Sequence, residues 1–171
     1  MKQLMVVTAG LSQPSTTREV ADEIAAAVRS AVGGRGENLE VTTIEVREYA
    51  TELTQLMLTG MPSRRLDQVK RDVSAADALV AVSPVFQGSY SGLFKMFFDA
   101  LDPNALTDMP TIVAATAGSE RHSLVTEYAL RPLLTYLHAT VVPTSLFAAT
   151  ADFGDANGAS FQRRILSLIH I

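Results

Sequence analysis

Between Ala78 and Leu101 the sequence changes character three times. Ala78–Val82 is an unbroken apolar run, Ala-Leu-Val-Ala-Val, with the pattern of a central parallel strand covered on both faces. Ser83–Ser89 reads as a turn-rich loop with one proline and one glycine. Leu93, Phe94, Phe97, Phe98 and Leu101 then recur at helical spacing, with Ser91 placed to cap the helix. Strand, loop and helix in this order put the loop at the carboxyl end of a strand, where open α/β sheets bind their ligands.

The rest of the chain repeats this unit. Leu4–Val7 is a short apolar strand, followed by the polar loop Thr8–Arg18 and a helix face of Val20, Ile24, Ala25 and Val28. A hydroxyl-dense loop feeding a helix N-terminus suits a phosphate, because the first helical amides lack acceptors and the helix dipole favours an anion. The alternative is a plain N-cap. Neither a Walker nor a dinucleotide glycine pattern is present. Leu39–Val46 reads as a second strand nearer an edge. Tyr49, Leu53, Leu56 and Met57 mark a weak helix, and Leu66, Val69 and Val73 the inner face of another. Thr111–Ala117 is a further buried strand, ending in the loop Thr116–His122. Val125, Ala129, Leu133, Leu134 and Leu137 predict a long helix with Pro132 inside it, hence a kink or break near Leu130–Arg131. Val141–Phe147 reads as a last strand marked by Pro143.

Totals exclude several classes. The chain of 171 residues fits one domain. It has no cysteine, which removes disulfides, thiolate catalysis and iron–sulfur clusters. The three histidines have no metal-ligand spacing, so no metal site is expected. A net charge of −4 without a Lys/Arg cluster argues against nucleic acid. No apolar run approaches the roughly 20 residues of a membrane span, and no secretory leader is visible. A cytoplasmic protein is the default expectation.

The run Ser83-Pro84-Val85-Phe86-Gln87-Gly88-Ser89-Tyr90-Ser91-Gly92-Leu93-Phe94-Lys95 resembles the flavin-ring loop of the NAD(P)H-dependent FMN reductases, roughly Pro-x-Tyr-Asn-x-Ser-x-x-Gly-x-x-Lys. The similarity extends from Met1 to about Phe161. Phe86 stands for the usual Tyr and Gln87 for the usual Asn, which removes a phenol hydroxyl and moves an amide one methylene outward. The resemblance implies FMN bound with its phosphate at Ser12, Ser15, Thr16 and Thr17. It implies that the ring lies against Pro84, Val85, Phe86, Gln87, Gly88 and Ser89, with its edge along Thr116, Ala117 and Gly118. Arg121 and His122 are read as polar residues beside the pocket, with a phosphate of NAD(P)H as the alternative partner of Arg121. Hydride transfer between nicotinamide and flavin needs geometry rather than a protein base, so no catalytic side chain is assigned.

The expected fold is a flavodoxin-like three-layer α/β sandwich, with a five-stranded parallel sheet of order 2-1-3-4-5 and helices on both faces. The expected function is NAD(P)H-dependent FMN reduction, with the reduced flavin either passing its electrons to an acceptor or leaving for a partner flavin-dependent monooxygenase. Three alternatives stay open: an FMN-containing quinone, azo or metal-oxyanion reductase; a flavodoxin-type electron carrier; and a module that has lost its flavin. A homodimer or homotetramer is expected, because Phe94, Met96, Phe97 and Phe98 offer more apolar surface than one sheet face covers.

Leu166–Ile171, Leu-Ser-Leu-Ile-His-Ile, matches one reading frame of a commonly used transposon sequencing adapter. It is read as an adapter-derived tail on a single domain spanning 1–165, with the natural carboxyl end missing. The alternative is a genuine helix end, since Ile165, Leu168 and Ile169 keep helical spacing.

Overall fold

The computed structural model describes residues 1–153 and 158–169. Its strands are β1 (Lys2–Thr8), β2 (Leu39–Glu45), β3 (Ala78–Phe86), β4 (Ser89–Tyr90), β5 (Pro110–Ala117), β6 (Thr140–Val141) and β7 (Leu146–Ala149). Its α-helices are α1 (Thr16–Gly33), α2 (Ala50–Thr59), α3 (Arg64–Ala75), α4 (Gly92–Asp99), α5 (Arg131–Tyr136) and α6 (Gly158–Ile169). The parallel strands lie in the order β2-β1-β3-β5, and both β6 and β7 pair with the free edge of β5. This is the flavodoxin-like order, with the fifth position shared by two short strands.

That sharing corrects the single strand expected over Val141–Phe147. The Val142 amide still donates to the Thr111 carbonyl at 3.0 Å, but Pro143 has no N–H to continue the ladder. Arg131 takes the carbonyls of Val142 and Pro143 at 2.8 and 2.9 Å. Pairing with β5 resumes at Leu146, opposite Ala114.

Two apolar layers flank the sheet. On one face Leu4, Val6, Val80 and Val82 meet Val20 and Ile24 of α1 and Phe161, Ile165 and Leu168 of α6. On the other, Met5, Val7, Leu79 and Ala81 meet Leu53 of α2, Leu66 and Val73 of α3, Phe94, Phe97 and Phe98 of α4 and Leu134 of α5. The strands therefore carry apolar residues on both sides, as central parallel strands must. Within α2, Leu53 is buried whereas Met57 is exposed. Leu166–Ile169 continue α6, and Leu168 packs on the α1 face. His170 and Ile171 lie outside the described residues.

One further expectation is corrected and one is met. Phe94, Phe97 and Phe98 are fully buried within the protomer and Met96 is half-buried against the same core, so α4 does not present the apolar patch expected of it. The helix expected to run from Val125 with an irregularity near Leu130–Arg131 runs unbroken from Val125 to Tyr136 and carries that irregularity where it was expected. Thr126–Leu130 forms a π-helical turn, and α5 begins at Arg131 with Pro132 in its first turn. Proline lacks the N–H and crowds the carbonyl four residues back; widening the preceding turn by one residue accommodates it.

Candidate functional site

Parallel register decides which residues meet at the carboxyl edge of the sheet. Thr8 of β1 stands opposite Val82 of β3 and Glu45 of β2, and Pro84 of β3 stands opposite Thr116 of β5. The loops after β1, β3 and β5 thus open side by side, which brings the three predicted groups, 12–17, 84–89 and 116–118, to one edge.

The first loop is closed by a cap. Ser15 is the N-cap of α1, its Oγ accepting from the Arg18 amide at 3.2 Å. A Cβ on Gly10 would lie 2.0 Å from that oxygen, so only glycine lets the loop fold this tightly. Thr17 is buried, and its hydroxyl is 2.9 Å from that of Thr116. Ser12 and Thr16 face solvent. Two of the four predicted hydroxyls are therefore engaged with the protein, and two are free. The amides of Thr16 and Thr17, in the first turn of α1, have no intrahelical acceptor.

Sequence reading missed three features of this loop. Thr8 is 2% exposed, and its Oγ1 has no hydrogen-bond partner; a hydroxyl ending an apolar strand was the available signal. Arg18 bonds Asp22 at 2.8 Å and Glu45 at 2.8 Å. Arg47 bonds Glu45 at 2.7 Å and the Ser12 carbonyl at 3.3 Å. Ser12, Ser15, Arg18, Glu45 and Arg47 line one small cavity of about 270 Å3. Glu45 and Arg47 looked remote because β2 reads as an edge, yet its pairing carries its carboxyl end level with Thr8.

The second loop, expected to be turn-rich over Ser83–Ser89, is a tight hairpin whose strands reach to Phe86 and back from Ser89. β3 runs on to Phe86 and turns back into β4, with Val85 opposite Tyr90 and Phe86 opposite Ser89. Gln87 and Gly88 have φ of 50° and 77°, both positive, as a two-residue type I′ turn demands. Buried Ser83 closes the base: its hydroxyl donates to the Pro84 carbonyl at 2.9 Å and accepts from the Ser91 amide at 3.0 Å. Ser91 in turn caps α4, accepting from the Phe94 amide at 3.1 Å. Pro84 is buried, Val85 and Ser89 are half-buried, and Phe86, Gln87 and Gly88 are exposed.

The third loop leaves β5 through buried Thr116, half-buried Ala117 and exposed Gly118. A 3-10 turn, Glu120–His122, comes next. Among the described residues no cluster of His, Cys, Asp or Glu is arranged to hold a metal. No helix among them is long and apolar enough to cross a membrane.

The edge thus holds a helix N-terminus with free amides, an unpartnered buried hydroxyl, two arginines and a flat hairpin beside a strand-end loop. This combination suits an anionic group joined to a planar ring. Residues 1–154 match the model of the NADPH-dependent FMN reductase family. The chain is similar to an FMN reductase (NADPH) of Pseudomonas aeruginosa, 34% identical over 151 residues that cover 88% of this chain and 78% of that one. It is also similar to the NADH-dependent FMN reductase SfnE of Pseudomonas putida, 35% identical over 152 residues, covering 89% and 79%. A crystal structure described as an oxidoreductase from Corynebacterium diphtheriae superposes with a TM-score of 0.95 at 56% identity, covering 99% of this chain and 93% of that one.

Proposed function

The chain belongs to the NADPH-dependent FMN reductase family, and from that premise we propose how its own residues do the work. The FMN phosphate sits at the N-terminus of α1, taking the free amides of Thr16 and Thr17 and the hydroxyls of Ser12 and Thr16. Thr8 Oγ1 and Arg18 stand by to add a donor and a counter-charge. The ring lies against Pro84–Ser89, with its polar edge along Thr116–Gly118. When bound, the flavin accepts hydride from reduced nicotinamide.

The protein's contribution is placement. Ser83 and Ser91 hold the hairpin flat, and Thr17 and Thr116 fix the distance between the phosphate loop and the ring-edge loop. Rigid positioning of this kind is what hydride transfer asks of a protein. Phe86, whose side chain is 44% exposed, offers an apolar face in place of a tyrosine. The tip amides supply donors that do not depend on the side chain of Gln87.

The observation that carries this reading is the convergence of three strand-end loops around an unsatisfied hydroxyl and a free helix N-terminus. NADPH and NADH oxidation measured with and without added FMN tests it. Oxidation that requires FMN is expected. Tighter binding of FMN than of riboflavin is also expected, and equal affinity for the two would remove the phosphate from α1.

Release of reduced FMN to a flavin-dependent monooxygenase fits the exposed hairpin tip, which leaves the ring accessible from outside. A second copy of the chain is the proposed occupant of the groove between α4 and α5. That groove, about 910 Å3, is lined by Tyr90, Lys95, Leu133 and Tyr136 among others, and Tyr136 is 83% exposed. Exposed tyrosine beside apolar wall is a usual composition of self-association surfaces. Sedimentation at micromolar concentration decides between monomer and oligomer.

A further inference from the structure

The loop after β1 is held from the side by one carboxylate. Glu45 ends β2 opposite Thr8, the residue from which that loop departs. Its Oε1 accepts from Arg18 Nη1 at 2.8 Å, and its Oε2 accepts from Arg47 Nε at 2.7 Å. Arg47 follows Val46, whose side chain is fully buried in the core and fixes the start of the turn Val46–Tyr49. From there Arg47 Nη1 donates to the Ser12 carbonyl at 3.3 Å. With its side-chain amide turned so that the oxygen faces the guanidinium, Gln13 accepts from the same Nη1 at 3.1 Å. A chain of contacts thus runs from α1 through the end of β2 to Ser12 and Gln13.

The bridge differs from the other ion pairs in burial. The side chains of Arg47 and Glu45 are each 19% exposed. Every other ion pair among the described residues has at least one side chain 36% exposed or more. Water screens exposed pairs and leaves them little energetic weight. Drawing charges partly out of water costs free energy that their attraction offsets only with good geometry, so stability alone is a poor reason for such a bridge.

A better reason is the geometry it fixes, which is that of the proposed phosphate site; the inference rests on that reading. Arg18 and Arg47 line one cavity with the carboxylates of Glu19 and Glu45. Two charges of each sign leave little net pull on a phosphate. Binding then depends on donors standing at the right distance: the amides of Thr16 and Thr17 and the hydroxyls of Ser12 and Thr16. The amides are fixed by α1. Ser12 is exposed, and Arg47 is what ties its backbone to a fixed strand.

We propose that Glu45 is a positioning residue for the flavin phosphate, orienting Arg18 and Arg47 so that Arg47 keeps the Ser12–Gln13 segment at the N-terminus of α1. Fluorescence titration of the full chain with FMN and with riboflavin tests this in Glu45→Gln and Arg47→Ala. The sign is informative: removing a carboxylate near a phosphate would tighten FMN binding if charge alone acted, whereas lost positioning weakens it. Each variant should bind FMN about tenfold more weakly, with riboflavin affinity unchanged to within about twofold. KM for NADPH and NADH at saturating FMN should not move. Glu45→Asp should recover part of the loss. The double variant should lose no more than either single one, because the two residues act as a unit. FMN affinity that is unchanged or raised in Glu45→Gln overturns the proposal, as do equal losses for both flavins or additive losses in the double variant. If Glu45→Gln does not fold, Arg47→Ala decides alone: a loss confined to FMN supports the proposal, and no loss or an equal loss overturns it. A parent that binds the two flavins equally overturns it together with the phosphate placement. A preference for FMN that depends on Glu45, in a protein without FMN-dependent nicotinamide oxidation, supports it and counts against the placement of the ring instead.

Discussion

The hydroxyls of Thr17 and Thr116, 99 residues apart in sequence, meet 2.9 Å apart in the buried angle between α1 and the end of β5. One donates and one accepts, so each satisfies the other. Replacing either alone by valine keeps the shape and strands its partner, which should cost about 1–3 kcal/mol. Replacing both should cost less than the sum, since no unpaired polar atom remains. Urea unfolding of the two single variants and the double variant measures the coupling. Additive losses would show that the contact carries no energy.

Gly10→Ala should disable the loop after β1 proposed to hold the phosphate. Its new Cβ would meet Ser15 Oγ at 2.0 Å and the Thr17 Cβ at 3.1 Å. A tenfold or greater loss of FMN affinity is expected, with little change for riboflavin. Adding Ser15→Ala should restore part of it by removing the closest atom. Fluorescence titration with the two flavins reads both effects.

At the hairpin tip, Gly88→Val forces a β-branched residue to φ near 77°, which should cost about 1–3 kcal/mol. Gln87→Asn places the most favourable residue at the first turn position and should hold or raise stability by a few tenths of a kcal/mol. Thermal melts with and without FMN check the pair. A valine variant that melts with the parent would contradict the turn geometry.

The Glu127 carboxyl is held below its ordinary range, first by its hydrogen bond to Arg131 and then by Ser145, against the opposing effect of burial. A carboxylate depressed in the folded state stabilises fully above its unfolded value, about 4.3, and loses that contribution as pH falls through the folded value. Glu127→Gln should therefore be less stable than the parent at neutral pH. The gap should narrow in acid below about pH 4.3. Melting temperatures across pH 3–7 give the comparison, and a gap independent of pH would exclude the ion pair as its cause.

Much of this architecture was legible in the chain. The apolar runs at Leu4–Val7, Ala78–Val82 and Thr111–Ala117 name three adjacent central strands, because strands covered on both faces have no polar alternation. What sequence reading lost, it lost to tertiary partners. Ser83 looks like a loop residue until its hydroxyl is seen bridging Pro84 and Ser91. Phe94, Phe97 and Phe98 look like surplus apolar area until α2 and α3 are laid beside them. Glu45 and Arg47 join the loop after β1 only through the register of β2 on β1. Pro132 announced an interruption, but not that a π-helical turn would absorb it.

The turn at Gln87-Gly88 asks for torsion angles rather than for functional groups. A position recruited for its backbone leaves its side chain unassigned, and Phe86 and Gln87 both project from the frame that Ser83 and Ser91 hold from behind. Such a tip can be rewritten in small steps without disturbing the sheet beneath it. The individuality of an enzyme built this way, meaning which acceptor it admits and how readily it lets a reduced flavin go, is then free to drift at the rim while the scaffold stays fixed.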